Sequence, residues 1–162
     1  ADDIAKVTAH VHQGAIDVLG PVTDPQTIHQ SKFSMGFVLA QIAVLGRAAL
    51  ADFTENSLKN KEIRDFHDRV SMVLDAEVDG AYPKRWLGRV SVQTKDGHHL
   101  ECRVDTPKGD PGNTLSRAEL EDKAQRLVGY SRAATPDEVK AVVARSWRLR
   151  DESSVRDFLA GR

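Results

Sequence analysis

Arg89-Val90-Ser91-Val92-Gln93-Thr94, then Lys95-Asp96-Gly97-His98-His99, then Leu100-Glu101-Cys102-Arg103-Val104, is the stretch that decides the fold class. Val90 and Val92 alternate with polar neighbours, and Leu100, Cys102 and Val104 do the same, which is the two-residue period of half-buried strands. Asp96-Gly97 between them favours positive backbone angles, so the two runs read as an antiparallel hairpin. On this reading Cys102 lies on the apolar face and is expected to be a buried small hydrophobe rather than a nucleophile. His98-His99 falls in the hairpin tip and reads as turn surface.

Working outward toward the N-terminus, Ala81 to Trp86 reads as a loop with aromatic anchors, and Val70, Met72 and Leu74 form a further alternating run. Lys61 to Arg69 is predicted helical, with Asn60 as N-cap and Ile63, Phe66 and Val70 on its inner face. Met35, Val38, Leu39, Ile42, Leu45 and Ala49 recur at helical spacing on an almost uniformly apolar helix, within which Gly46 reads as a close-packing site rather than a stop. Pro21 to Gln30 reads as a polar loop after the Gly20-Pro21 break. Ile4 to His12 alternates, with Val7, Ala9 and Val11 on one face and Lys6, Thr8, His10 and His12 on the other. That is a half-buried strand.

Toward the C-terminus, Thr106 to Asn113 is rich in turn residues and is the best candidate boundary. Beyond it, Ser116 with Glu119 and Thr135-Pro136 with Glu138 form two capping boxes, each opening a helix. A short tail helix is expected around Val155, Phe158 and Leu159. The order of strand, two helices, three strands and further helices predicts an α+β fold with a small, mostly antiparallel sheet, packed helices and C-terminal helices.

Composition limits the function. The chain has 162 residues with 40% hydrophobic and 29% charged, as in ordinary globular domains. Its 23 Lys and Arg balance 24 Asp and Glu, so no net field draws nucleic acid or an anionic membrane. The single cysteine excludes an internal disulfide and fits a reducing, cytoplasmic setting. Phe33 to Leu50 is broken by Ser34, Gly36, Gln41, Gly46 and Arg47, and reads as a buried helix rather than a membrane span. Ala1 stands where a start methionine would be, and the chain is read as a piece of a larger protein.

No phosphate loop, dinucleotide fingerprint, His-Glu-x-x-His or paired-cysteine metal pattern occurs. His10 and His12 could chelate a metal from one strand face, but such a pair is more often a solvated edge. The stretch from Gln30 to Phe37 has two readings. Lys32 and Ser34 at a helix start could make a carboxylate-binding corner beside free backbone N–H groups. Physics alone favours the plainer one, in which Ser34 caps the helix and Lys32 is solvated.

Ser31-Lys32-Phe33-Ser34-Met35-Gly36-Phe37 opening an apolar helix that ends near Gly46, the aromatic loop at Tyr82-Pro83 and Trp86, the strand pair around Asp96-Gly97, and Lys108 to Asn113 leading to Leu115, Ser116, Glu119, Leu120 and Lys123 occur in a set order. Together they resemble the MmgE/PrpD family of 2-methylcitrate dehydratase-like proteins, over nearly the whole chain. The resemblance implies a cofactor-independent, metal-free lyase with a large helical domain, a smaller α/β lid and an active site between them. Residues 1–107 would be the lid, and 108–162 the linker and helices returning to the helical domain. The family's upstream catalytic motifs would be absent, leaving this piece inactive by itself.

Lys32, Ser34 and Phe37 match the motif lining the cleft and are the expected substrate-binding residues. Family members often carry tyrosine where Phe37 stands, so the hydroxyl it would supply is missing. The expected substrate is a small di- or tricarboxylic acid, and the expected assembly a homodimer without nucleic acid or membrane. Decarboxylation or epimerisation of a related acid is one alternative, and a non-catalytic binding module another.

Overall fold

The computed structural model describes residues 1–151 together with Ser154 and Val155. The chain divides into two compact units, 1–113 and 114–162. The tail helix expected around Phe158 and Leu159 lies outside the described residues.

In the first unit, β1 (Ile4–Val11) buries Val7, Ala9 and Val11, as its alternation requires. β2 (Val70–Leu74) pairs with it in parallel, Val7 opposite Val70. β3 (Gly88–Thr94) pairs antiparallel with β1, and β4 (His99–Val104) antiparallel with β3, giving the sheet order β2-β1-β3-β4. The fold is therefore α+β with a mixed, mostly antiparallel sheet. A parallel pair cannot be closed by a tight turn, and the helices between β1 and β2 make the crossover.

There are five of these helices, where the sequence predicts two. They are α1 (Gln13–Leu19), α2 (Ile28–Lys32), α3 (Met35–Leu45), α4 (Glu55–Lys59) and α5 (Lys61–His67), with a 3-10 turn at Leu50–Asp52. α1, α2 and α4 escape periodicity because each is only five to seven residues long. α1 buries no residue, and its cap is the ring of His12, whose Nδ1 accepts from the Ala15 amide at 3.1 Å. α2 is capped by Thr27, whose Oγ1 accepts from the Gln30 amide at 3.1 Å.

α3 corrects one expectation. Gly46 ends it as a left-handed C-cap at φ 74°, and a Cβ there would meet nothing within 4 Å. It is a stop rather than a close-packing site, because an L side chain is disfavoured at that φ. α5 begins as predicted, with Asn60 Oδ1 accepting from the Glu62 and Ile63 amides. Phe37 and Ala40 of α3 meet Ile63 and Phe66 of α5, Leu58 of α4 and Val7 of β1 in the main core. Val70, Val90 and Val92 pack against this cluster.

The hairpin forms as read, with Gly97 at φ 91° and the Thr94 amide donating to the His98 carbonyl at 2.9 Å. Its outer strand corrects a second expectation. Cys102 shares the apolar face with Val90, its direct partner, yet is exposed. The parity was right and the burial wrong, since β4 is the sheet edge and contributes no residue to the core cluster. α6 (Ala76–Ala81) lies between β2 and β3 and buries Val78.

Residues 106–113 close on themselves. The Gly109 amide donates to the Asn113 carbonyl at 2.8 Å, and Asn113 Nδ2 donates to the Thr106 carbonyl at 3.0 Å. In the second unit α7 (Arg117–Ser131) and α8 (Pro136–Trp147) carry the capping boxes at Ser116 and Thr135. Trp147 Nε1 donates to Glu121 at 2.8 Å, and Arg117 lies 4.9 Å from the Trp147 ring centroid.

Candidate functional site

Ser34 sets the start of α3. Its Oγ accepts from the Phe37 amide at 3.4 Å, and the residue is 1% exposed. The extended Ser34 backbone and its hydroxyl are what a helix needs to begin. The turn that follows walls a cavity of about 250 Å³, with Ser34 and Gly36 on one side, His67 and Asp68 on another, and Val70 and Met72 of β2 below.

His67 comes from the last turn of α5, and its Nδ1 lies 3.1 Å from Asp68 Oδ1. Its ring lies so close to Gly36 that an added Cβ would be 2.9 Å from Nε2. His67 also borders a second cavity of about 560 Å³, whose rim carries Lys59, Lys61 and Arg64. That rim is neutralised from within, since Arg64 pairs with Asp24 and Lys61 with Asp65, each at 2.5 Å. Sequence reasoning missed His67, because nothing within five residues of it marks its approach to Gly36.

The predicted site residues are not brought to one point. Lys32 ends α2 rather than opening α3, and its Nζ lies 5.9 Å from the Phe53 ring centroid. It lines neither cavity. Phe37 is 1% exposed and belongs to the core, while bordering the larger cavity. Only Ser34 of the three walls the smaller one.

A polar cluster on the other face of the sheet was also missed. His10 Nε2 lies 2.7 Å from Ser91 Oγ, and His10 Nδ1 lies 3.4 Å from Asp75 Oδ2. Arg89 bonds both Asp75 and Glu101 at 3.0 Å, and Arg103 holds Glu77 at 2.7 Å. Asp75 also caps α6, so the Val78 amide, then the Glu77 amide and the charges of Arg89 and His10, hold its carboxyl below the usual range. Hydrogen bonding and the charge of Arg103 lower Glu77 likewise. With Arg89 neutralising Asp75, this cluster can fix the sheet face.

His12 is committed elsewhere, stacked on Tyr82 with ring centroids 4.0 Å apart. Among the described residues no group of three or more His, Cys, Asp or Glu could hold a metal ion. None of their helices is long and apolar enough to cross a membrane.

The MmgE/PrpD C-terminal domain matches residues 1–149. No curated protein matches the chain. The match covers nearly the whole chain, including the α3 start, the hairpin and the capped C-terminal helices, and the chain belongs to the MmgE/PrpD family as its C-terminal domain.

Proposed function

We propose that residues 1–107 are the lid-type domain, and 108–162 the linker and helices returning to the large helical domain, of a cofactor-independent lyase acting on a small di- or tricarboxylic acid. The observation that carries the reading is the family match over residues 1–149. The reaction breaks a C–H bond next to a carboxylate, and its electron pair becomes the new C=C bond as hydroxide leaves and is protonated to water. Such chemistry needs cations and N–H donors on the carboxylates and a positioned base.

In this reading the first turn of α3, beside the cavity that His67 also walls, supplies part of the carboxylate binding, and Lys32, which lines neither cavity, adds a cation to it only in the complete protein. The buried Phe37 supports that turn from within the core. The remaining acid and base groups come from outside these residues, so the 162-residue chain by itself is inactive.

The test compares the isolated chain with the complete protein in deuterated water, following elimination and hydrogen exchange of 2-methylcitrate and related acids by proton NMR. Turnover by the complete protein and none by the isolated chain is expected. Turnover by the isolated chain would overturn the division of labour. Failure of the complete protein to exchange or eliminate any such acid would overturn the lyase reading.

A further inference from the structure

His67 Nδ1 lies 3.1 Å from Asp68 Oδ1. An ionised carboxylate only accepts, so a hydrogen bond across this gap puts the ring proton on Nδ1. In the neutral ring Nε2 is then an acceptor. Among the described residues no group bonds Nε2. The ring edge that carries it lies over Gly36, where an added Cβ would be 2.7 Å from Cδ2 and 2.9 Å from Nε2.

The cavity that His67 and Gly36 wall is mostly apolar, with Leu19, Val22, Val70 and Met72 in its lining. Among the described lining residues only His67 and Asp68 are ionisable. The Asp68 side chain is 84% exposed, so its charge is solvated. His67 therefore sets an acceptor nitrogen beside apolar walls. A ligand that displaces water from that nitrogen and brings no donor leaves it unpaired, which costs affinity.

We infer, on the lyase reading above, that the acid bound here is a hydroxy acid whose hydroxyl donates to His67 Nε2. At neutral pH the carboxylates of a di- or tricarboxylic acid carry no donor, whereas the hydroxyl that elimination expels carries one. A hydrogen bond from it to Nε2 fixes which carbon bears the leaving group, while the acid and base come from outside these residues. An unsaturated acid, or one without the hydroxyl, leaves Nε2 unpaired and is selected against. Gly36 shares in the selection, because a side chain there would press the ring from its place. His67 is thus a specificity residue, and the substrate class narrows to hydroxy acids.

Citrate and propane-1,2,3-tricarboxylate differ only by such a hydroxyl, so titration calorimetry of the complete protein with each isolates its contribution. Citrate should bind about tenfold more tightly, as expected where a hydrogen-bond acceptor is otherwise left unpaired. His67→Phe keeps a ring beside Gly36 and removes the nitrogens. In it the preference should fall to about twofold or less, with the affinity for propane-1,2,3-tricarboxylate nearly unchanged. A preference that survives in His67→Phe, or an unaltered protein that binds the two acids equally, would overturn the role of His67. With elimination by the unaltered protein intact, either result leaves the lyase reading standing. An unaltered protein that neither binds nor eliminates any such acid would overturn that reading and the role of His67 with it. Should the larger ring not fold, His67→Leu takes its place, and equal binding by the unaltered protein decides without any variant.

Discussion

The Cβ atom that Gly36 lacks would sit 2.7 Å from Cδ2 of His67, closer than real Cβ atoms approach. Glycine in the first turn of α3 is therefore what lets the α5 ring lie against that turn and wall the smaller cavity. Gly36→Ala gains helix propensity of up to about 1 kcal/mol but must displace the ring, at about 1–3 kcal/mol. A net loss of about 1–2 kcal/mol in urea unfolding is expected. In a His67→Ala background the same change should be neutral or stabilising, and two losses that simply add would show that the ring and Gly36 do not meet.

Asp75 gives the fold a pH dependence of known sign. Its folded pKa lies below the ordinary value, chiefly through the Val78 amide and then through the Glu77 amide, Arg89 and His10. The stability it contributes is fully present above about pH 4 and is lost as pH falls through the lowered value. Asp75→Asn keeps the helix cap and deletes the charge. Its urea midpoint should be lower than the parent's at neutral pH, with the gap closing as pH falls below about 4 through the lowered value. A gap that stays constant across that range would remove the ionised carboxylate from the explanation.

Ser116 Oγ accepts from the Glu119 amide at 3.3 Å, and Glu119 Oε2 accepts from the Ser116 amide at 2.7 Å. Ser116→Ala should cost the second unit about 0.5–2 kcal/mol. Thermal unfolding followed by helical circular dichroism reads it, and an unchanged midpoint would mean that α7 does not depend on this cap.

Lys32 follows from the proposed function and is tested in the complete protein. Lys32→Met keeps an apolar stem and removes the ammonium that lies over Phe53. If the lysine holds a substrate carboxylate, kcat/KM should fall by about tenfold or more, since a charged hydrogen bond contributes about 1.5–3 kcal/mol. Unchanged kinetics with unchanged stability would assign Lys32 to the surface.

What was legible in the sequence was local. The caps at Asn60, Ser116 and Thr135 and the turn at Asp96-Gly97 each act within a few residues, so their residue types announce them. The alternation of Val7, Ala9 and Val11 announces a buried strand face for the same reason. The Ser34 cap belongs to this class, and it is the one predicted site residue that the structure sets on the smaller cavity.

Tertiary structure decided the rest, because its partners are distant in sequence. Strand order left Cys102 on an uncovered edge, which no alternation pattern within β4 can report. The end of α2 carried Lys32 toward Phe53 and away from the cavity that Ser34 lines. His10, Asp75 and Ser91 meet only because β1 lies between β2 and β3. The approach of His67 to Gly36 likewise depends on how α5 packs across α3. Side chains so far apart in the chain meet through the packing of whole elements, and residue type alone carries no record of that packing.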